Sequence, residues 1–446
     1  MTWARLETAA VARALASVAA EAGDLAEVYF ERRIDAEWPP AEARCGLRVR
    51  REEGLAARLV RGERSWLASR DRITGAHLLE ALRQVARAQP ATLLEPDIAV
   101  GTPTAIPFAA LRSFAAELER AIRRHHVAFP LQLTVRWHRR DVQVVGPRWV
   151  PSTEREVFFS LEVDMPWGRF GALATDLAAG EAERVARSLV GRFMAREAEP
   201  PHSGRFPVLL APAATAVLLH EAVAHALEAD LMGEIGGMDD DWRRSIGAVS
   251  SSASPGFPLD VLDDPRRAPR GVDRTTDDEG QAVVRRWLIR AGKVDQVISD
   301  SMCAARSATH LAGSGFRGGR HQPPLPRTHH LELLPGDADP RRLQSAAEGG
   351  LYVPELDRGR LDPATGEVVL HAPCGRYLLH GEPGDACGPF ELRAFVPDLL
   401  ASVVAVGKDA QAAGAGWCAK AGQRRAVWAT APSVVIADIA VFAGTR

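Results

Sequence analysis

The stretch Pro212–Asp230, PAATAVLLHEAVAHALEAD, decides how the rest of the chain is read. An apolar run, Phe206–Leu210, leads into it with strand character, and Pro212 stands where a first helical turn tolerates proline. The pattern predicts a short strand followed by a helix to about Asp230. Along that helix lie His220, Glu221, His225 and, one turn further on, Glu228.

H-E-x-x-x-H is one residue longer than H-E-x-x-H, in which two histidines four apart share a helical face and a zinc ion. At 3.6 residues per turn, five residues rotate by about 500°, leaving the imidazoles about 140° apart and unable to share an ion. A π-bulge that loops out one residue would bring them back to about 40°. Two outcomes are open: a deformed helix carrying a metal-binding pair, or a regular helix in which His225 is a hydrogen-bonded core residue.

With 446 residues, 46% hydrophobic and 25% charged, the chain reads as a soluble globular protein of two or three domains. A net charge of -2 gives no electrostatic reason to expect a nucleic-acid partner. Arginine pairs such as Arg139-Arg140 and Arg266-Arg267 read as solvated faces. The N-terminal run lacks a basic leader and an unbroken apolar core, so it is expected to form an amphipathic helix and not a signal peptide. No apolar run reaches membrane-span length. Five cysteines, scattered and odd in number, argue against a disulfide framework and for a reducing, cytoplasmic setting.

Along the chain, helices are expected at 4–22, Thr74–Ala88, Phe108–Arg124 and Glu181–Glu197. Strand character appears at Ala26–Arg32, at Arg44–Val49 and Leu55–Val60 with a hairpin break at Glu52–Gly54, and at Leu131–Trp137, Val142–Val145, Glu156–Val163 and Gly168–Ala174. Pro- and Ala-rich sequence from Gln89 to Pro107 reads as a connector. Glu197–Gly204, EAEPPHSG, breaks both periodicities and marks the expected boundary between an N-terminal α/β domain, 1–200, and a mostly β domain, 205–446, that carries the metal-binding helix. The fold class is then α+β. Gly233–Pro255, rich in Gly, Asp and Ser, reads as a mobile insertion or lid. Gly313–Gly319 contains a nominal G-x-G-x-x-G, but the prolines of HQPPLPR forbid the helix that would bind a pyrophosphate.

A catalytic zinc commonly takes three protein ligands and leaves one position open. Glu228, His321 and the cysteines are candidates to join the two histidines. Cys418 stands out among them, because GAGWCAKAGQ, Gly414–Gln423, has glycines that permit close backbone approach and a lysine, Lys420, that would favour thiolate.

The central HEAVAHALEAD, then DDEG at Asp277–Gly280, GSGFRGGRHQPPLPR, GLYVPELDRGRLDPATGEVVL and CAKAGQ resemble, in that order, the TldD/PmbA peptidases. The resemblance covers most of 205–446 and more loosely the N-terminal half. It implies a zinc metallopeptidase with His220, His225 and Cys418 as metal ligands. It also implies dimeric assembly, with itself or with a PmbA/TldE-like chain, around a cavity that admits extended peptide. Retention of His220, Glu221, His225 and Cys418 sets the chain on the metal-binding side of the family. Ala224, Ala226 and Ala229 stand where the family usually has glycine.

The expected chemistry is hydrolysis of unfolded or precursor peptides, with Glu221 as the base that takes the water proton. Arg317, Arg320 and His321 are candidates for an oxyanion donor or a substrate anchor. A non-catalytic peptide-binding or scaffold subunit with a structural or vestigial metal site is the alternative, and a closed four-ligand set would favour it. DNA-linked regulation is suggested only by the historical naming of the family.

Overall fold

Side chains in the first long strand, β1 (Leu25–Trp38), alternate between two environments. Val28 and Phe30 pack into an apolar cluster, whereas Glu27, Tyr29 and Glu31 are buried on the opposite face. A computed structural model describes residues 8–19, 21, 23–39, 46–86, 105–146, 151–231, 259–306 and 312–444. In it β1 joins β2 (Arg48–Arg61), β3 (Arg64–Arg70), β4 (Gln132–Val145), β5 (Ser152–Met165) and β6 (Gly168–Ala174) in one six-stranded sheet, order β3-β2-β1-β4-β5-β6. Every neighbouring pair is antiparallel. Helices α1 (Thr8–Val18) and α2 (Gly75–Ala86) supply Val11, Leu15, Leu78 and Leu82 to one end of its apolar face. Helices α3 (Phe108–Arg124) and α4 (Ala179–Ala195) close the other end with Leu111, Phe114, Val185 and Leu189.

Three expectations fail here. The hairpin break at Glu52–Gly54 is absent, because β2 runs unbroken to Arg61 and the turn falls at Gly62, φ +57°. Gly54 serves close approach instead: an added Cβ would stand 2.5 Å from Arg320 Cδ and overlap the Arg70 carbonyl oxygen. Likewise β4 continues through His138–Asp141, where two strands were expected. Arg139 and Arg140 are buried, not solvated. Arg140 bonds Glu31 at 2.9 Å, Glu156 at 3.0 Å and Asp278 at 3.0 Å.

Those bonds belong to a charged layer that joins the polar face of the first sheet to the residues beyond 260. Arg274, Arg317 and Arg425 meet Asp278, Glu27 and Glu156 within it. Burial would raise the Glu156 carboxyl, but Arg425, Arg274 and Arg140 hold it well below the usual carboxylate range. Removing one partner of such a pair strands the other charge, at a cost of roughly 3–5 kcal/mol.

Residues from 204 onward build two further large sheets. In a nine-stranded sheet, β7 (Gly204–Leu210) lies antiparallel to Val434–Ala443 and parallel to Leu351–Val353. A six-stranded sheet contains Val261–Asp263, His330–Leu333 and Gln423–Ala431, and ends on the edge strand Gln411–Lys420. Val208, Leu210 and Ile436 from one, and Val261, Leu331 and Ala429 from the other, share one core cluster with Leu218, Leu219 and Val223. The segment after β7 is thus held between the two sheets. The fold is α+β. No helix among the described residues is long and apolar enough to cross a membrane. The Gly233–Pro255 insertion, most of the connector after Gln89, and Cys45 lie outside the described residues.

Candidate metal centre

The segment after β7 begins as the expected helix and then departs from it. Helix α5 covers Pro212–Leu218, Leu219–Ala224 widens to a π-helix, and His225–Leu227 tightens to a 3₁₀ turn. The His225 N–H bonds the His220 carbonyl, five residues back. The extra residue turns the imidazoles toward each other, with ring centroids 4.6 Å apart and planes at 68°. Ala224 needs no glycine for this, since its φ and ψ, -62° and -57°, stay in the right-handed region. The helix stops three residues short of Asp230. Glu228 is extended, ψ 122°, and the backbone on either side of it bonds Ile298 at 2.8 and 2.9 Å.

Cys418 completes the cluster from the edge strand Gln411–Lys420. Its Sγ lies 3.6 Å from His225 Nε2, and one ligand atom from each of His220, His225 and Cys418 falls within 4.8 Å of the others. Burial raises the thiol, but His220 and His225 outweigh it and bring Cys418 down to about 5. Lys420 does not do this. Its ammonium is taken by Glu228 at 3.0 Å, Asp230 at 2.7 Å and the Pro326 carbonyl at 2.8 Å. Arg327, which sequence reasoning missed, is the cation beside the sulfur, 3.1 Å from Sγ.

Glu228 stands behind His225, not beside the other ligands. Its carboxylate meets His225 Nδ1 at 2.8 Å, which orients Nε2 toward the sulfur. Burial raises Glu228, yet His225 and Lys420 pull it down to about 2. The donor set suits an ion. His220 is 4% exposed, and neither ring nitrogen has a hydrogen-bond partner. An imidazole so buried and unpaired is costly unless a ligand takes one nitrogen. Two imidazoles and a thiolate are zinc-type donors.

Glu221, half-buried, follows His220 on the π-helical turn. Its side chain lies over Gly359 in the strand Arg358–Leu361, so closely that a Cβ there would stand 3.1 Å from the Glu221 carboxyl carbon and nearer still to Cγ. The need for glycine at 359 had no sequence signal beyond its place in LDRGRL.

Arg317, Arg320 and His321 are not brought to this cluster. Arg317 is spent on Glu27 and on the ring of Tyr29, 4.3 Å away. Arg320 bonds Asp71 at 2.8 Å, and His321 bonds Ser69 at 2.8 Å, so each is held by acidic or polar groups of the N-terminal half. A cleft of about 540 Å³ is lined by Trp417, the neighbour of Cys418, but by none of His220, Glu221, His225 and Cys418 themselves. Its walls include the edge strand β6 (Leu173, Ala174) and the edge strand residues Gln411–Trp417, which touch each other at Leu173 and Gly414, and it reaches Val217, four residues before Glu221, and Arg358, next to Gly359.

Residues 203–443, more than half of the chain, match the PmbA/TldA metallopeptidase C-terminal domain. The chain belongs to the PmbA/TldD metallopeptidase family. A protein named metalloprotease from Methanothermobacter thermautotrophicus is 29% identical over 249 residues, covering 56% of this chain and 52% of that one. A metalloprotease TldD homolog from Haemophilus influenzae is 28% identical over 244 residues, covering 54% and 48%. The chain spans about half the length of the curated relatives it matches. Among solved structures, TldE from Thermococcus kodakarensis superposes with a TM-score of 0.68 at 18% identity, over 97% of this chain and 100% of that one. A Thermotoga maritima structure described as a putative modulator of a DNA gyrase gives 0.66 at 16%, over 96% and 98%. At such identities the likeness speaks for the fold of the PmbA/TldD family alone.

Proposed function

We propose that this PmbA/TldD family member is a zinc-dependent peptidase acting on unfolded or precursor peptides, with His220, His225 and Cys418 as the ligands. The observation that carries the reading is the convergence within 4.8 Å of three ligand atoms, two from a helix widened to a π-turn and one from the edge strand Gln411–Lys420. Zinc held there would polarise the scissile carbonyl and activate a water. Glu221 would serve as the base, its carboxylate accepting a proton from the attacking water and returning it to the leaving amine. Glu228 and Lys420 keep His225 oriented, and Gly359 leaves room for the Glu221 side chain.

The cleft, lined by the edge strands β6 and Gln411–Lys420, suits an extended peptide lying along one of them, whose backbone can bond edge N–H and C=O groups while its side chains stay unread. We take the chain to divide near Glu197–Gly204, to work as a homodimer or with a PmbA/TldE-like partner, and to reside in a reducing cytoplasm, where the free thiols Cys303, Cys374, Cys387 and Cys418 would persist. The scaffold reading is disfavoured because Glu228, the other candidate ligand, does not join the ligand atoms of His220, His225 and Cys418 that converge, and stands behind His225 on its Nδ1 side. The test is zinc content and cleavage of a disordered peptide by wild type and Glu221→Ala. Metal retained with cleavage lost supports the assignment; equal cleavage by both proteins refutes the base.

A further inference from the structure

Arg327 ends the run GSGFRGGRHQPPLPR and is 1% exposed. Its backbone is fixed by an N–H bond to Ser314 O at 3.0 Å and by the pairing of Leu325–Pro326 with Gly315–Phe316. From there Nη2 donates to the Cys418 carbonyl at 3.0 Å and to Cys418 Sγ at 3.1 Å. The other deeply buried arginines of the charged layer each meet a carboxylate: Arg140 and Arg274 meet Asp278, Arg317 meets Glu27, Arg425 meets Glu156. Among the described residues no carboxylate pairs with Arg327, and its Nε and Nη1 are buried without partners. A buried guanidinium without an opposite charge is costly, and the anionic group this one faces is the Cys418 sulfur.

We infer that Arg327 is a positioning residue for the metal centre, acting through the sulfur. Its two bonds to one residue fix where Sγ points. Its N–H···S bond also draws charge from the thiolate, offsetting the loss of Lewis acidity that a sulfur ligand imposes on a zinc ion. Outer partners of this kind typically change metal affinity or activity by roughly 10–100-fold. The inference rests on the metal-site reading above and adds a role for a residue buried behind the sulfur.

The test uses the full-length protein loaded with Co²⁺ alone, as wild type, Arg327→Met and Arg327→Lys. The readout is the energy of the sulfur-to-cobalt charge-transfer band. Loss of the N–H···S bond should move the band to lower energy in Arg327→Met and by less in Arg327→Lys, with kcat on a disordered peptide falling by roughly 10–100-fold at unchanged KM. Arg327→Lys keeps the buried charge and decides the matter alone if the methionine variant does not fold. A band present in wild type and unmoved in the variants overturns the role of Arg327 only. Absence of the band from wild type overturns the metal centre itself.

Discussion

Gly359→Ala offers a sharp perturbation of Glu221 because it adds one carbon and removes nothing. A methyl group at that position would stand 3.1 Å from the Glu221 carboxyl carbon, 2.9 Å from a Leu370 methyl, and inside contact distance of Glu221 Cγ. Leu370 is fully buried in the strand Glu367–Ala372 and belongs to the core cluster, so Glu221, half-buried, is the side that yields. Restoring van der Waals distance needs a carboxylate shift on the order of 1 Å, and a misplacement of that size costs about 100-fold in rate. Overpacking should lower stability by about 1–3 kcal/mol. The backbone at Gly359 has no positive φ, so the substitution carries no conformational strain of its own. Zinc content should match wild type, because the ligands lie elsewhere. Steady-state cleavage of a disordered peptide, beside zinc per chain by elemental analysis, measures both. A folded, zinc-loaded Gly359→Ala enzyme with wild-type kcat would refute the placement of Glu221 as the base.

Cys418→Ala should lose zinc on dialysis where wild type retains it, and should lower stability because it removes the sulfur that the buried Arg327 faces. His330 provides a pH prediction: burial holds it down to about 4, against 6.5 for a free histidine. Its folded value is depressed, so its contribution is intact above about pH 6.5 and lost as the unfolded chain takes up the proton between there and about pH 4. This amounts to about 2 kcal/mol of stability between pH 7.5 and pH 5. His330→Asn should remove that part of the acid-side loss in urea unfolding, and an unchanged loss would show that His330 is not its source.

The central strand and helix were legible because their signals are local. Five-residue spacing could not serve a metal on a regular helix, and the chain resolves it with a π-helical turn. Cys418 could be named from the order of motifs, although the strand that presents it was not foreseen among its glycines. What was not legible is mostly charge. His138–Asp141 looked like a break between strands and Arg139-Arg140 like a solvated pair, because the acids that neutralise Arg140 come from Glu31, Glu156 and Asp278. Arg317, Arg320 and His321 sit in a run resembling a site segment, yet residues of the first sheet, about 250–290 positions away, claim them. Lys420, two residues from Cys418, looked like its activator until Glu228 and Asp230 took its ammonium. Proximity in sequence cannot rank competing partners that only the fold supplies.

Zinc K-edge X-ray absorption on the purified full-length chain tests the central claim most directly. The account predicts one sulfur neighbour near 2.3 Å and nitrogen or oxygen neighbours near 2.0–2.1 Å for each zinc, about one zinc per chain. A sulfur-free shell, or one with several sulfurs, would contradict it.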